Sequence, residues 1–347
     1  MRQAVSRTAT LVALYRAMES SRSAGTRLFE DPLAPAFLGW RFRCALRLSR
    51  LPVVGAAVPW SLIDGHWSGP RGTVAVRTRY IDDVLGRALR SGVNQVVILG
   101  AGFDSRAYRI PGIEQARVFE VDHPATQAKK KDVVTRRFGT LPPHVTLVPI
   151  DFMVSTLDMA MLDSGYRNEA LTFFICEGVT HYLSAPAVEA MFRYVARAAA
   201  GSQMVFTYIH RGILDGSVTF SGADTTLTAV RRAGEPYTFG FDPVELPAYL
   251  TARKLILVED VGARTYRERY LIPRGRGQEL LAEFQRAALV EVAGHPPGQR
   301  PPPRGPRPRY VISHSQTPPL QEPPRQPMSQ QRSAPSWPPS MRRTLPD

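Results

Sequence analysis

Apolar positions change period several times along this chain, and the changes mark out its elements. Between residues 5 and 22, Leu11, Leu14, Tyr15 and Met18 recur at helical spacing with arginines on the other side, which predicts an amphipathic cap helix. From 73 to 89, Val76, Tyr80, Ile81, Val84 and Leu85 form the inner stripe of another helix, which carries Arg77 and Arg79. The pattern then switches to short continuous apolar runs. Val96, Val97, Ile98 and Leu99 predict a strand buried on both faces. Further strands are expected at 117–121, 145–150, 171–176, 203–209, 255–261 and 287–293, with helical stretches such as 187–200 between most of them. Strands alternating with helices predict an α/β protein with a parallel, doubly wound sheet. No internal repeat is visible.

Two stretches break this alternation. Residues 28–38 are rich in turn signals, and Asp31-Pro32 is expected to start a helix. Residues 41–67 are basic and apolar and read as a cover over a substrate pocket; a packed helical hairpin and a membrane-surface patch are the other readings. Arg47, Arg50, Pro52 and Pro59 interrupt this section too often for it to span a bilayer.

Composition adds a boundary at the far end. The chain of 347 residues can bury a large core, and 44% of it is apolar, as in a soluble globular protein. Its formal charge of +14 invites a nucleic-acid reading, but from His295 onward eight arginines face only two acids, and 16 of the 31 prolines lie there too. Such a tail cannot bury enough apolar surface to offset its ordering entropy. It is expected to be disordered, a solvated extension or a docking segment for a protein partner, and no nucleic acid is expected to bind. The expected organisation is a helical cap region over 1–72, a ligand-binding domain over 73–294 and the tail over 295–347. The start of the chain lacks the pattern of a secretory signal, so the expected location is the cytoplasm. Cys44 and Cys176 sit among apolar residues and are assigned no chemistry.

The candidate chemistry gathers at strand ends. Gly100 and Gly102 follow the first strand directly, which lets the backbone turn tightly and approach a ligand, with Asp104 expected to open the next helix. Ser105 stands where a dinucleotide fingerprint has its third glycine. Asp122, Asp151 and Glu177 end successive strands and so belong on the same sheet edge as the glycine turn. Asp122, about 20 residues after the glycines, fits a ribose-binding carboxylate. Asp151 could accept from an adenine amino group with Phe152 packed near the ring, and Glu177 could meet an ammonium or a sulfonium. Beyond Glu177, His181 and Tyr182 are the candidates to act on an acceptor, and Arg79, Arg41 and Arg43 are the candidates to hold an acidic one. No histidine pair or His/carboxylate pair has metal-ligand spacing, so no metal is expected.

The segments ILGAGFDSRAYRI, FEVDHPATQAKK, VPIDF and CEGVTHYLS, in that order, resemble the leucine carboxyl methyltransferase family and its large actinobacterial branch. The resemblance covers about residues 8–294 and extends to VRTRYIDD and YRERYLIPRGR. It implies the class I S-adenosylmethionine-dependent methyltransferase fold, a Rossmann-like seven-stranded sheet whose last strand, 287–293, runs antiparallel beside 255–261. By the family pattern Gly100, Asp122, Asp151, Phe152 and Glu177 would contact S-adenosylmethionine, Arg77 would bind its carboxylate, and Arg16 would match a basic residue of the amino-terminal helix. The implied activity is O-methylation, of a small or peptide carboxylate in the first place and of a phenolic molecule in the second. A nicotinamide-dependent oxidoreductase would leave Asp151 and Glu177 without a role. A basic binding protein that keeps the fold without turnover is the remaining rival.

Overall fold

The computed structural model describes residues 7–48, 69–150 and 156–294. Among them a seven-stranded sheet forms the centre: β1 (Gln95–Leu99), β2 (Arg117–Asp122), β3 (Val145–Pro149), β4 (Thr172–Cys176), β5 (Gln203–Ile209), β6 (Leu255–Val261) and β7 (Gln285–Val292), in the order β3-β2-β1-β4-β5-β7-β6. The first five strands pair in parallel, and β7 runs antiparallel to both β5 and β6. The helices are α1 (Arg7–Ser20), α2 (Trp40–Leu48), α3 (Gly69–Arg90), α4 (Pro124–Phe138), α5 (Leu157–Leu162), α6 (Ala185–Val195), α7 (Ala223–Arg232) and α8 (Leu246–Thr251). Single turns form at Gly212–Asp215 and Ala263–Tyr266.

The apolar runs become strands because both of their faces are covered. Val96 and Ile98 of β1 join Val76, Ile81, Val84 and Leu85 of α3 in one core layer. Val97 and Leu99 point the other way, into a layer with Val188, Phe192 and Val195 of α6. Local chemistry starts the flanking helices: the His123 ring accepts from the Ala125 amide ahead of α4, and Ser184 Oγ accepts from the Ala187 amide ahead of α6, with a proline in the first turn of each. The strand order reverses between β1 and β4, which opens a crevice at their carboxyl ends.

Three expectations change. No α-helix follows β1; Arg106–Tyr108 and Ile113–Gln115 are two short 3-10 turns. The cause is Arg106, whose side chain is fully buried and bound to carboxylates, so this segment is pinned inward at the point where a surface helix would begin. Asp31-Pro32 starts only the 3-10 turn Ala34–Phe37, with Asp31 Oδ1 accepting from the amides of Leu33 and Ala34. The long helix α3 begins at Gly69, ahead of the expected boundary at 72/73. Of the expected cover only α2 is described; residues 49–68 and the tail from 295 lie outside the described residues.

The helix α1 closes the crevice from above. Ala13, Leu14 and Ala17 pack with Phe37, Leu46 and Phe103 and with Val133 and Val134 of α4, and the Phe37 and Phe103 rings stack at 4.6 Å. Arg276, behind the turns that follow β6, reaches Glu19 of α1 at 2.7 Å and Thr26 O at 2.8 Å, which fixes the end of α1 to the main body.

Candidate functional site

A cavity of about 760 Å³ occupies the crevice, walled by the loops after β1, β2 and β4, by α1 and α3, and by the stretch from Thr225 to Thr238. Its floor depends on glycine. Gly100 has φ +65° and Gly102 φ +43°, and a Cβ at Gly100 would lie 2.4 Å from Val179 Cγ2. The loops after β1 and β4 can therefore touch only without a side chain at 100. Asp122 stands beside this floor with its carboxylate set by two backbone amides: Gly102 N donates to Oδ2 at 2.5 Å and His123 N to Oδ1 at 2.6 Å. A carboxylate held in this way keeps lone pairs for the two hydroxyls of a sugar.

One side of the cavity is a lattice of largely buried charge that continues into the protein behind it. Glu177 accepts from Arg77 Nε at 2.8 Å and from Arg106 Nη1 at 2.7 Å. Arg106 also meets Asp104 at 2.5 Å and Asp82 at 2.8 Å, and Arg109 holds Asp82 from the other side at 2.7 Å. Burial pulls the Glu177 carboxyl upward, but Arg106 and Arg77 outweigh it and keep the group below its usual range. Asp104 is likewise held well below its usual range, against burial, by Arg106 first, then Arg16 and Lys130. Both acids are therefore ionised at neutral pH. Arg77 gives its Nη1 to Gln285 Oε1 at 3.2 Å. Arg16 pairs with the fully buried Asp31 at 3.2 Å and bonds the Phe103 carbonyl; Asp31 in turn accepts from Ser105 Oγ at 2.6 Å. Ser105 thus has a structural role in place of the third glycine.

The other end of the cavity is aromatic. The His181 ring lies between Tyr182 and Tyr237, with centroids 4.4 and 4.5 Å away. Burial, and then the charge of Arg77, push its pKa down to about 3. Tyr182 is hydrogen-bonded to Tyr237 and Thr8, and Thr8 donates to Glu235. Leu11, Val12, Tyr15, Val74, Ala229 and Val230 supply apolar wall.

Arg77, Gly100, Gly102, Asp122, Glu177, His181 and Tyr182 all line this cavity, as does Arg16. Asp151 and Phe152 lie outside the described residues. None of the three arginines expected to hold an acidic acceptor is among the described residues that wall this cavity. Arg79 is committed to Asp83 at 2.9 Å and to the Leu28 carbonyl at 2.6 Å, because its position on α3 turns it away from Arg77. Arg41 and Arg43 are exposed on α2. The sequence reading missed Thr8, Glu235 and Tyr237. The available signal was the turn Gly234-Glu235-Pro236 after an amphipathic helix, which marks a loop but not its destination. Among the described residues, no group of three or more His, Cys, Asp and Glu could hold a metal ion.

Comparison with known proteins gives the same picture from another direction. The family model for leucine carboxyl methyltransferase matches residues 9–196. A Frankia alni protein is 36% identical over 209 residues, 60% of this chain and 70% of that one. A Bacillus subtilis protein is 33% identical over 192 residues, 54% of this chain and 62% of that one. Both carry the name "Putative S-adenosyl-L-methionine-dependent methyltransferase". The crystal structure of a DUF574 family protein from Streptomyces avermitilis superposes with a TM-score of 0.51 at 13% identity, covering 80% of this chain and 96% of that one, a likeness of fold.

Proposed function

The chain belongs to the leucine carboxyl methyltransferase family, and from that premise we propose that this S-adenosylmethionine-dependent methyltransferase methylates a carboxylate oxygen of a small acid or a peptide terminus. Bound in the cavity, S-adenosylmethionine supplies a methyl group on a positively charged sulfur, which an already ionised oxygen can take without a base. The cavity has the volume of a cofactor-plus-acceptor site. Asp122 would accept from the ribose hydroxyls, Glu177 would face the ammonium, and Arg77 the carboxylate, each a charge-assisted contact. His181, Tyr182 and Tyr237 would align the acceptor and exclude water, so that the chain contributes orientation more than proton transfer.

The observation that carries the carboxylate reading is His181. Its ring is buried between Tyr182 and Tyr237, no hydrogen bond orients its Nδ1, and burial and Arg77 both disfavour a proton on it, so it is poorly placed to take one from a phenol, whose pKa is near ~10. A carboxylate acceptor, with a pKa near ~4, needs no such help.

The test uses the full chain with methyl-tritiated S-adenosylmethionine and a panel of apolar carboxylic acids and phenols. A carboxyl methyl ester releases volatile tritiated methanol in mild base, and a phenyl ether does not. The expected product is base-labile, with kcat/KM nearly flat between about pH 6 and about pH 8.5, because the acceptor is ionised throughout that range. His181→Asn should change turnover only a few-fold. A base-stable product, formed at a rate rising about tenfold per pH unit, would favour phenol methylation.

A further inference from the structure

The helix α2 presents a surface that the cavity chemistry does not use. Its sequence is Trp-Arg-Phe-Arg-Cys-Ala-Leu-Arg-Leu, and only Leu46 is buried, packed into the cluster that α1 forms with Phe37 and Phe103. At about 100° per residue, Trp40, Cys44 and Leu48 fall in one row on the side away from Leu46. That row is open: Trp40 is 66% exposed and Leu48 47%, and Cys44 is exposed as well. Arginines flank it on both sides, Arg43 and Arg47 on one edge and Arg41 on the other, all exposed. The Arg41 guanidinium sits 5.7 Å from the Trp40 ring centroid. No acid occurs between Asp31 and Asp64 in the sequence, so nothing within this stretch neutralises the helix.

An exposed tryptophan and leucine ridge bordered by arginines, with no acid, is the pattern of a helix lying in a membrane interface. The apolar ridge enters the boundary between headgroups and acyl chains while the arginines meet anionic headgroups. We propose that α2 docks this chain on the surface of an anionic lipid bilayer, as a peripheral contact. No described helix is long and apolar enough to cross one. The proposal goes beyond the methyltransferase reading and does not depend on the acceptor. It does have a consequence for delivery: α2 packs on α1, and α1 is one wall of the cavity, so docking would bring that wall within about one helix diameter, ~10 Å, of the lipid.

The full chain, Trp40→Ala/Leu48→Ala and Arg41→Gln/Arg43→Gln/Arg47→Gln are sedimented with phosphatidylcholine vesicles with and without about 30% phosphatidylglycerol. The unaltered chain should bind the anionic vesicles, weakly bind the neutral ones and release with salt. Each variant should lose about tenfold or more in partitioning. The Arg-rich tail could bind anionic vesicles by itself, so insertion is read separately: brominated lipid should quench fluorescence in the unaltered chain and much less once Trp40 is replaced. Because the substituted positions are exposed, melting temperatures should stay unchanged. Absence of binding, binding by both variants as strong as that of the unaltered chain, or quenching that ignores Trp40 would overturn the proposal. So would a fall in melting temperature or the loss of a dimer in the Trp40 variant, since the ridge would then be covered by the chain itself or by a second copy.

Discussion

Arg106→Met is expected to destabilise the protein by about 3–5 kcal/mol at neutral pH, enough to unfold a domain of ordinary stability. Arg106 is fully buried and bonds Asp82, Asp104 and Glu177 at once. Removing it leaves three largely buried carboxylates short of a shared cation, with Arg77 and Arg109 as the partners that remain for Glu177 and Asp82 and only the more distant charges of Arg16 and Lys130 for Asp104. The pH dependence gives a second readout. In the unaltered protein Asp104 and Glu177 titrate below their unfolded values, so their contribution is present at neutral pH and is lost as pH falls through the acid range. Without Arg106 the same burial is opposed by fewer cations, so those carboxyls should rise and the variant should lose less stability than the unaltered protein on protonation. The difference in melting temperature should therefore be largest near pH 7 and shrink toward pH 5, as followed by circular dichroism. A variant that melts with the unaltered protein at pH 7 would mean that the lattice carries no net stability. Arg106→Lys should fall between the two, since it keeps the charge and loses the fork.

Asp122→Ala is expected to weaken S-adenosylhomocysteine binding by about 2 kcal/mol, roughly thirtyfold in Kd, while leaving the fold in place. The carboxylate is aimed by the amides of Gly102 and His123, so its position in the cavity is set before any ligand arrives. Loss of the side chain leaves sugar hydroxyls without a charge-assisted acceptor and frees the Gly102 amide at the point where the glycine turn meets the cavity. Isothermal titration of the variant, with its melting curve as control, separates this from a folding defect. An unchanged affinity in a folded variant would remove Asp122 from the site.

The strands were legible because β1, β4 and β5 are buried on both faces and so read as unbroken apolar runs. The strand-end positions of Asp122 and Glu177 followed from the same pattern, since a side chain at the end of a parallel strand must lie on the ligand edge. What stayed hidden depends on contacts between distant residues. Arg106 has the look of a surface helix residue, and only the three acids converging from α3, the glycine turn and β4 explain why it points inward and why no helix forms there. Thr8 and Glu235 meet across 227 residues of sequence, which no local pattern records. Arg79 shows the reverse case. Its type suited an acid-binding role, but two residues along a helix from Arg77 is a turn of about 200°, which carries it away from the cavity.

The most direct measurement is a calorimetric titration of the full chain with S-adenosylhomocysteine and, separately, with NAD⁺ and NADP⁺. The glycine turn, the amide-held Asp122 and the Glu177–Arg77 pair predict one S-adenosylhomocysteine bound per chain and no measurable heat with either dinucleotide. Saturable dinucleotide binding with no response to S-adenosylhomocysteine would contradict the account.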